Sequence, residues 1–169
     1  MSTSTGEGLG SWEDYARDAA DAEGGGALET LRQLLAFEVG GAAYAVLVES
    51  VREIVRIRPI TPIPRVSEDV RGVIALRGEV VQVVDLRRRL GLASIEPTRA
   101  SRIVVVHQDD GRVSGVLVDA VREVLRVPAE AIGPPAGGES LAVEGLCTHG
   151  DEFVSLIALD RVLQVDDES

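Results

Sequence analysis

Residues 46–57 read VLVESVREIVRI, and residues 116–127 read VLVDAVREVLRV. Seven of the twelve positions are identical, the other five exchange similar side chains, and the offset is a constant 70 residues. A segment written twice at a fixed offset is typical of a duplicated structural unit. The pair therefore predicts two copies of one module, in which this dodecapeptide forms the same element each time.

The duplication continues beyond these twelve residues. Gly72-Val73 aligns with Gly145-Leu146, and VVQVVDL at 80–86 aligns with FVSLIAL at 153–159. The offset there is 73, so three residues have been added in the second copy. We infer two β-rich modules of similar length that pack around a pseudo-twofold axis.

Short valine-rich segments alternate with turn signals in both copies. Valine favours strands because its branched Cβ fits a pleated surface. Gly40-Gly41 and Arg77-Gly78-Glu79 predict hairpin turns between such segments, and Gly150 predicts the matching turn in the second copy. Three prolines in Arg58–Pro64 remove ladder donors, so this stretch predicts an extended surface connection.

About five short strands per copy predict an all-β protein made of two small barrels with short helices. We expect the first barrel in residues 31–97 and the second in 98–169, which ends in a short helix and tail. Residues 1–30 are rich in Gly, Ser, Asp and Ala, which is typical of a flexible acidic leader.

The leader contains one candidate element. Ser11-Trp12-Glu13-Asp14 resembles a capping box that would begin a short helix ending near Ala22. Trp12, Tyr15 and Ala19 would share one face of it. This face is either a docking surface for a partner or part of a solvated segment, and the sequence leaves both open.

Charge and composition exclude several classes of protein. The net charge is −11, so the chain repels nucleic acid and anionic lipid. No apolar run reaches the eighteen or so residues that a membrane-spanning helix needs, and the N-terminus has no secretory pattern. Cys147 is the only cysteine and cannot form an internal disulfide, which suits a reducing compartment. We expect a cytoplasmic protein without nucleic-acid binding or direct membrane insertion.

No catalytic or cofactor constellation emerges. All 17 basic residues are arginine, which excludes the lysine of a Walker A loop or a Schiff base. Cys147, His149 and Asp151 are spaced as three metal ligands, but they fall at a hairpin tip and lack a fourth partner, so we expect no metal. Arg87-Arg88-Arg89 reads as a solvated helix face. The pattern favours a binding module that is not an enzyme.

Several motifs resemble the CheW family of chemotaxis adaptor proteins. They are Tyr44 after a glycine turn, V-x-E-I at 51–54, L-R-G at 76–78, V-D-L at 84–86 and G-x-x-V-D at 115–119. The resemblance covers about residues 31–164. It implies two five-stranded, SH3-like barrels side by side, no enzymatic activity and no cofactor. It also implies two partners, the cytoplasmic tip of a chemoreceptor (methyl-accepting protein) and the regulatory domain of a CheA-type histidine kinase.

The resemblance also implies two binding surfaces. A receptor groove between the barrels would use six residues, which are Val51, Glu53, Gly72, Arg77, Val80 and Val121. The kinase would contact a barrel end at Ile57, Ile60 and Ile63. From the residues alone, Glu53 and Arg77 are opposite charges that a barrel would bring together, either as a surface salt bridge or as a polar rim of the groove.

Two alternatives to the adaptor stay open. One is a structural oligomer or array scaffold that pairs double-barrel domains. The other is a small-molecule-binding protein that uses the cleft between the barrels.

Overall fold

The computed structural model describes residues 30–135 and 142–164. Within these ranges the chain forms ten strands, two short α-helices and two 3₁₀ turns, Val48–Ser50 and Ala129–Ala131. The first five strands are β1 (Leu31–Val39), β2 (Ala42–Leu47), β3 (Val51–Arg56), β4 (Val70–Leu76) and β5 (Glu79–Asp85). The other five are β6 (Arg102–His107), β7 (Val113–Val118), β8 (Ala120–Pro128), β9 (Val143–His149) and β10 (Glu152–Ile157). Helix α1 (Leu86–Arg89) follows β5, and helix α2 (Leu159–Val162) follows β10.

The strands form two five-stranded sheets. Barrel A has the order β8-β1-β2-β10-β9, and barrel B has the order β3-β6-β7-β5-β4. Replacing each strand of barrel A by its counterpart in the other sequence copy gives the order of barrel B. The parallel pairs also correspond, because β2 pairs with β10 as β7 pairs with β5. The predicted all-β fold with pseudo-twofold symmetry is therefore confirmed.

The copies in the sequence do not correspond to the barrels in space. Barrel A combines β1 and β2 with β8, β9 and β10, and barrel B combines β6 and β7 with β3, β4 and β5. Residues 31–97 and 98–169 therefore do not each form one barrel, and the expected boundary near 97 is corrected. The leader that we predicted over residues 1–30, with Trp12, Tyr15 and Ala19, lies outside the described residues except for Thr30.

The repeated dodecapeptide is the segment in which the chain crosses between barrels. It contains the end of β2, the 3₁₀ turn Val48–Ser50 and β3 in the first copy, and the end of β7, a bend at Asp119 and β8 in the second. The two crossings have opposite directions, from barrel A to B and from B to A. A duplicated module that exchanges strands needs such a crossing twice, which explains why the segment is repeated.

Asp119 ties the second crossing to its surroundings. Its Oδ1 and Oδ2 accept hydrogen bonds from Nε and Nη2 of Arg87 at 3.1 and 2.8 Å. Its Oδ2 also accepts from the Gly40 amide at 2.8 Å, and its own amide donates to the Glu38 carbonyl. One carboxylate thus joins α1, the β1–β2 turn and the β7–β8 bend.

Three apolar clusters form the core, because the strands alternate which face they bury. Along β1, Leu34 and Ala36 point into barrel A, whereas Leu35 and Phe37 point into a central cluster between the barrels. Barrel B has its own interior around Val83, Ile103 and Val105. Valine and leucine dominate all three clusters, as the low aromatic content predicts.

Each barrel is closed by its own short β-bridge, which crosses the seam between its two edge strands. In barrel B, Thr61 pairs with Val73 on β4, with both N–H···O distances at 2.9 Å. In barrel A, Gly133 pairs with Leu146 on β9. Val73 and Leu146 are aligned in the repeat, so the closure obeys the same symmetry.

The basic run Arg87–Arg89 on α1 is not the solvated face that its sequence predicts. Arg87 pairs with Asp119, Arg88 with Glu68, and Arg89 with Asp69. The helix is too short to bury an apolar stripe, so these ion pairs and the Asp85 N-cap fix it. Within the described residues, neither this helix nor any other is long and apolar enough to cross a membrane.

Candidate functional site

Glu53 and Arg77 form a two-pronged ion pair on barrel B. Arg77 donates from Nε to Oε2 of Glu53 at 3.1 Å and from Nη2 to Oε1 at 2.9 Å. The Glu53 side chain is only 16% exposed, whereas that of Arg77 is 66% exposed. The hydrogen bond with Glu53, and then its charge, raises the pKa of Arg77. The pair thus fixes a guanidinium at the surface with one side still open to a partner.

The Arg77 backbone adopts a conformation that glycine usually takes. Its φ is 54°, and that of Gly78 is 83°, as a two-residue type I′ hairpin turn requires. The repeat counterpart of Arg77 is Gly150, with φ 64°. An arginine therefore occupies a turn position at which the second copy has no side chain, which is a sequence signal that this side chain has a use.

Val80 is the exposed apolar residue beside this pair. Its side chain is 74% exposed, although it lies on β5 directly opposite Ala75 of β4. On the adjoining position, Glu79 pairs with Arg52, Nη1 to Oε1, at 3.3 Å. Val80 is therefore an apolar spot among ion-paired residues, which is the composition of a small interface patch.

Val51 does not line an open groove. It is 3% exposed and belongs to the central cluster between the barrels, next to Val106 of β6. Val121, its repeat counterpart, is half-buried and packs against the same cluster. The structure thus separates both valines from the Glu53–Arg77 ion pair and from the exposed Val80.

Gly72 has a structural reason to be glycine. Its φ is 141°, and a Cβ at this position would lie 2.2 Å from the carbonyl oxygen of Thr61. That carbonyl is part of the seam bridge, so a side chain at Gly72 would push the closing segment off β4. Gly72 therefore permits the seam of barrel B to close and need not contact a partner itself.

Ile57, Ile60 and Ile63 lie in the connection after β3, which has no strand of its own apart from the Thr61 bridge. All three are half-buried, and Ile57 and Ile60 pack against the interior of barrel B. Arg58, between them, donates from Nη1 to the Ala75 carbonyl at 3.0 Å. The predicted connection is confirmed, and it forms one end of barrel B.

Most of the chain matches one protein family. The sequence model of the CheW-like domain matches residues 33–167. The chain belongs to the CheW-like family.

Individual relatives agree with this assignment. Chemotaxis protein CheW of Rhizobium meliloti (strain 1021) is 38% identical over 135 residues, which cover 78% of this chain and 86% of that protein. Probable chemotaxis protein CheW of Rhizobium etli is 42% identical over 103 residues, covering 61% and 66%. The crystal structure of scaffolding protein TtCheW from Thermoanaerobacter tengcongensis superimposes with a TM-score of 0.76 at 30% identity, covering 82% of this chain and 97% of that one.

This CheW-like domain carries a second surface that the sequence reasoning missed. Phe153, the repeat counterpart of Val80, is 64% exposed on β10. Arg122 donates from Nη1 to Oε1 of Glu152 at 2.8 Å, which repeats the Arg52–Glu79 pair. The sequence contains the signal for this surface, because the 73-residue offset aligns Phe153 with Val80.

The side chains of Cys147, His149 and Asp151, near the β9–β10 turn, do not point to a common site. Cys147 is buried within barrel A, and this burial raises the pKa of its thiol. His149 and Asp151 are exposed at the turn, and His149 lies 3.8 Å from Glu123. Across the residues that the structure describes, no group of three His, Cys, Asp or Glu side chains is placed to hold a metal ion.

Proposed function

We propose that this chain is a non-catalytic adaptor of a chemosensory array, which couples chemoreceptor cytoplasmic tips to the regulatory domain of a CheA-type histidine kinase. Its membership of the CheW-like family supports this role. The names of its relatives, chemotaxis protein CheW and scaffolding protein TtCheW, support it as well. A protein of this kind acts through surfaces, so the proposal depends on which surfaces it offers.

The exposed Val80 beside the Glu53–Arg77 pair is the observation that carries the receptor assignment. The receptor tip that the family resemblance implies is helical. A helix binds a partner surface through a few apolar anchor residues surrounded by a polar rim. Val80 supplies the anchor, and the open side of the Arg77 guanidinium supplies the rim. Because Glu53 holds that guanidinium at two atoms, less side-chain freedom is lost on binding.

Val51, Gly72 and Val121 act from beneath this surface. Val51 and Val121 set the packing between the barrels, and Gly72 allows the seam of barrel B to close. Each therefore influences receptor binding through the position of β3 and the β4–β5 hairpin. Substitutions there alter stability together with affinity, which distinguishes them from substitutions at Val80.

The kinase surface that we propose is the end of barrel B formed by Ile57, Ile60 and Ile63. These half-buried side chains leave part of their apolar surface in contact with solvent. The prolines around them fix the backbone, so the segment loses little conformational entropy when a partner binds. The receptor and kinase surfaces then belong to the same barrel and adjoin along its seam, where Arg58 bonds the carbonyl of Ala75, the residue opposite Val80.

The experiment compares Val80→Glu with Phe153→Glu in titrations against a receptor tip fragment and a kinase regulatory domain. Both side chains are exposed at equivalent places, so both variants keep the fold. We expect Val80→Glu to weaken binding of the receptor tip by roughly tenfold or more, as for an interface anchor. Phe153→Glu should leave that affinity unchanged.

Three outcomes would contradict the proposal. Equal losses of receptor-tip affinity in the two variants would contradict the assignment of the receptor surface to Val80. If the wild-type protein binds neither fragment, the adaptor function itself is wrong. A stable oligomer in a solution mass measurement, without affinity for either fragment, would favour the structural alternative.

A further inference from the structure

The connection between β3 and β4 repeats its pattern of burial every three residues. Four of its side chains are half-buried, and the six residues between them are exposed. The half-buried side chains are those of Ile57, Ile60, Ile63 and Val66. A period of three residues is that of a polyproline II helix, which has three residues per turn. The connection therefore packs one edge against the protein and turns the other two toward solvent, and we call residues 57–64 the proline ribbon.

Three prolines hold the proline ribbon in an extended form. Pro59, Pro62 and Pro64 each fix φ at about −65°. Each also pushes the residue before it into the extended region. The two N–H···O bonds between Thr61 and Val73, both at 2.9 Å, attach the ribbon to the edge of β4. Its backbone is thus ordered before any partner binds.

Pro59 and Pro62 share one outward edge of the proline ribbon. Both are exposed, and the spacing Pro-x-x-Pro places them one turn apart on that edge. Arg58 is exposed next to Pro59 and donates from Nη1 to the Ala75 carbonyl at 3.0 Å, which fixes the direction of its side chain. Residues 54–66 contain three arginines and no acidic residue, although the chain has a net charge of −11. The outward edge therefore combines apolar rings with a positive charge.

The second sequence copy closes its barrel with the same kind of connection. Gly133 forms the bridge to Leu146 in barrel A, as residue 61 forms the bridge in barrel B. The offset between the two bridging residues is 72 (133 − 61). This offset aligns Ile132 with Ile60, and each of them packs against the interior of its own barrel. The two connections are therefore structurally equivalent next to the bridge.

The second copy closes its barrel without Arg58 and Pro59. The residues aligned with them are Glu130 and Ala131. Both are exposed, and they belong to the 3₁₀ turn Ala129–Ala131. Since barrel A closes with a glutamate and an alanine at these positions, closure requires neither the arginine nor the first proline. Their presence in barrel B indicates a use other than closure.

We propose that the outward edge of the proline ribbon docks in a groove of the kinase regulatory domain that is lined by aromatic side chains and holds a carboxylate for Arg58. Aromatic-lined grooves bind Pro-x-x-Pro segments because an ordered polyproline II backbone loses little entropy on binding. A carboxylate can bind the remaining Nε and Nη2 of Arg58 in parallel. This inference rests on the proposed function. It assigns the contact to Arg58, Pro59 and Pro62, whereas Ile57 and Ile60 hold the ribbon to barrel B.

The first experiment is a calorimetric titration of the full-length chain with the kinase regulatory domain. Pro62 and Pro134 are both exposed and both follow a bridging residue, so Pro134→Ala is the matched control for Pro62→Ala. We expect Pro62→Ala to weaken binding roughly fivefold or more, as for a contact residue, and Pro134→Ala to leave it unchanged. The double variant Arg58→Glu, Pro59→Ala carries the residues of barrel A. It should melt like the wild type and lose roughly tenfold or more in affinity.

The second experiment tests the aromatic groove on the unaltered chain, through the proton chemical shifts of its prolines. An aromatic ring that packs on a proline moves the signals of the proline side-chain protons upfield. We expect this shift for Pro59 and Pro62 when the kinase regulatory domain is added, and no shift for Pro134. Because no substitution is involved, the result does not depend on whether a variant folds.

Wild-type affinity in the folded double variant would overturn the inference and leave the kinase assignment standing. Proline signals that stay in place in the complex would do the same. Equal losses for Pro62→Ala and Pro134→Ala would also overturn it, since the effect would then come from closure of the seams. A wild-type chain without affinity for the kinase regulatory domain would overturn the inference together with the proposed function.

Discussion

Arg77 and Glu53 join the two edges of the barrel B sheet. Glu53 lies on β3, Arg77 follows β4, and these strands stand at opposite ends of the order β3-β6-β7-β5-β4. Their hydrogen bonds at 2.9 and 3.1 Å therefore cross the seam that the Thr61–Val73 bridge also closes. One ion pair thus holds the hairpin against β3 and presents a charge to solvent.

Arg77→Ala is expected to lower affinity for a receptor tip without unfolding the protein. The side chain is largely exposed, so its loss removes little packing. Loss of a charged hydrogen bond at an interface should reduce affinity roughly tenfold or more, which calorimetric titration would detect. Arg112→Ala serves as the control, because Arg112 is 63% exposed and ion-paired with Asp110 in the β6–β7 turn. Wild-type affinity in folded Arg77→Ala would rule out the Arg77 contact.

Gly72→Ala should destabilise the fold far more than Gly145→Ala, its repeat counterpart. At Gly72 a Cβ would lie 2.2 Å from the Thr61 carbonyl, with φ at 141°, whereas at Gly145 the nearest atoms lie at 3.2 Å. Backbone strain and overlap together predict a loss of about 3–4 kcal/mol in the free energy of unfolding for Gly72→Ala. We expect about 1 kcal/mol for Gly145→Ala. Urea denaturation measures both, and equal losses would show that the seam is not held by Gly72.

Part of the folding stability should depend on the ionised Asp119 carboxylate and should therefore be lost at acidic pH. Burial alone would raise the pKa of Asp119, but the Arg87 side chain and the Gly40 amide outweigh it and hold the pKa below its ordinary value. A group whose folded pKa is lowered adds stability above its unfolded pKa, near 3.9, and this stability is lost as the pH falls through the folded value. Asp119→Asn should therefore cost about 1–2 kcal/mol at pH 7.

The cost of Asp119→Asn should shrink as the pH falls below the unfolded pKa, near 3.9, and should disappear once Asp119 is protonated in folded wild type as well. Thermal melts across this range measure it. Asp110→Asn is the control, because Asp110 also has a lowered pKa but its hydrogen bonds are local, to Arg112 in the same turn. A pH-independent difference between wild type and Asp119→Asn would show that charge is not the cause.

Val51→Ala should cost more stability than Val121→Ala. Val51 is 3% exposed in the central cluster, whereas Val121 is half-buried against it. Removing two buried methyl groups and leaving a cavity predicts a loss of about 2–3 kcal/mol for Val51 and about 1 kcal/mol for Val121. Chemical denaturation tests the order, and a larger loss for Val121 would contradict the burial of Val51.

Deletion of residues 1–28 should leave the barrels intact. β1 begins at Leu31, and its ladder pairs with β2 and β8 within the described residues. We expect a change in Tm of no more than about 2–4 °C, which corresponds to roughly 1 kcal/mol for a chain of this length. A fall much larger than this would show that the acidic segment is part of the folded core.

The local sequence pattern was sufficient to predict the strands, the hairpins and their pseudo-twofold symmetry. The turns at Gly40-Gly41 and Arg77-Gly78 and the valine-rich alternation gave the hairpins, since side-chain period and turn chemistry act over a few residues. The offsets of 70 and 73 residues predicted the pseudo-twofold relation. The pairing of Glu53 with Arg77 followed from their opposite charges on elements that a closed barrel must bring together.

The sequence by itself thus determined which segments are strands, where they turn and that they occur twice. Only the tertiary structure decided which strands share a barrel, because two copies of one module present equivalent edges to each other. The free edge of β1 can pair with β8 as well as with β3, and no local pattern distinguishes these choices. The crossings at Val48–Ser50 and Asp119 make that choice, and in doing so they bury Val51 and bring Arg87 to Asp119.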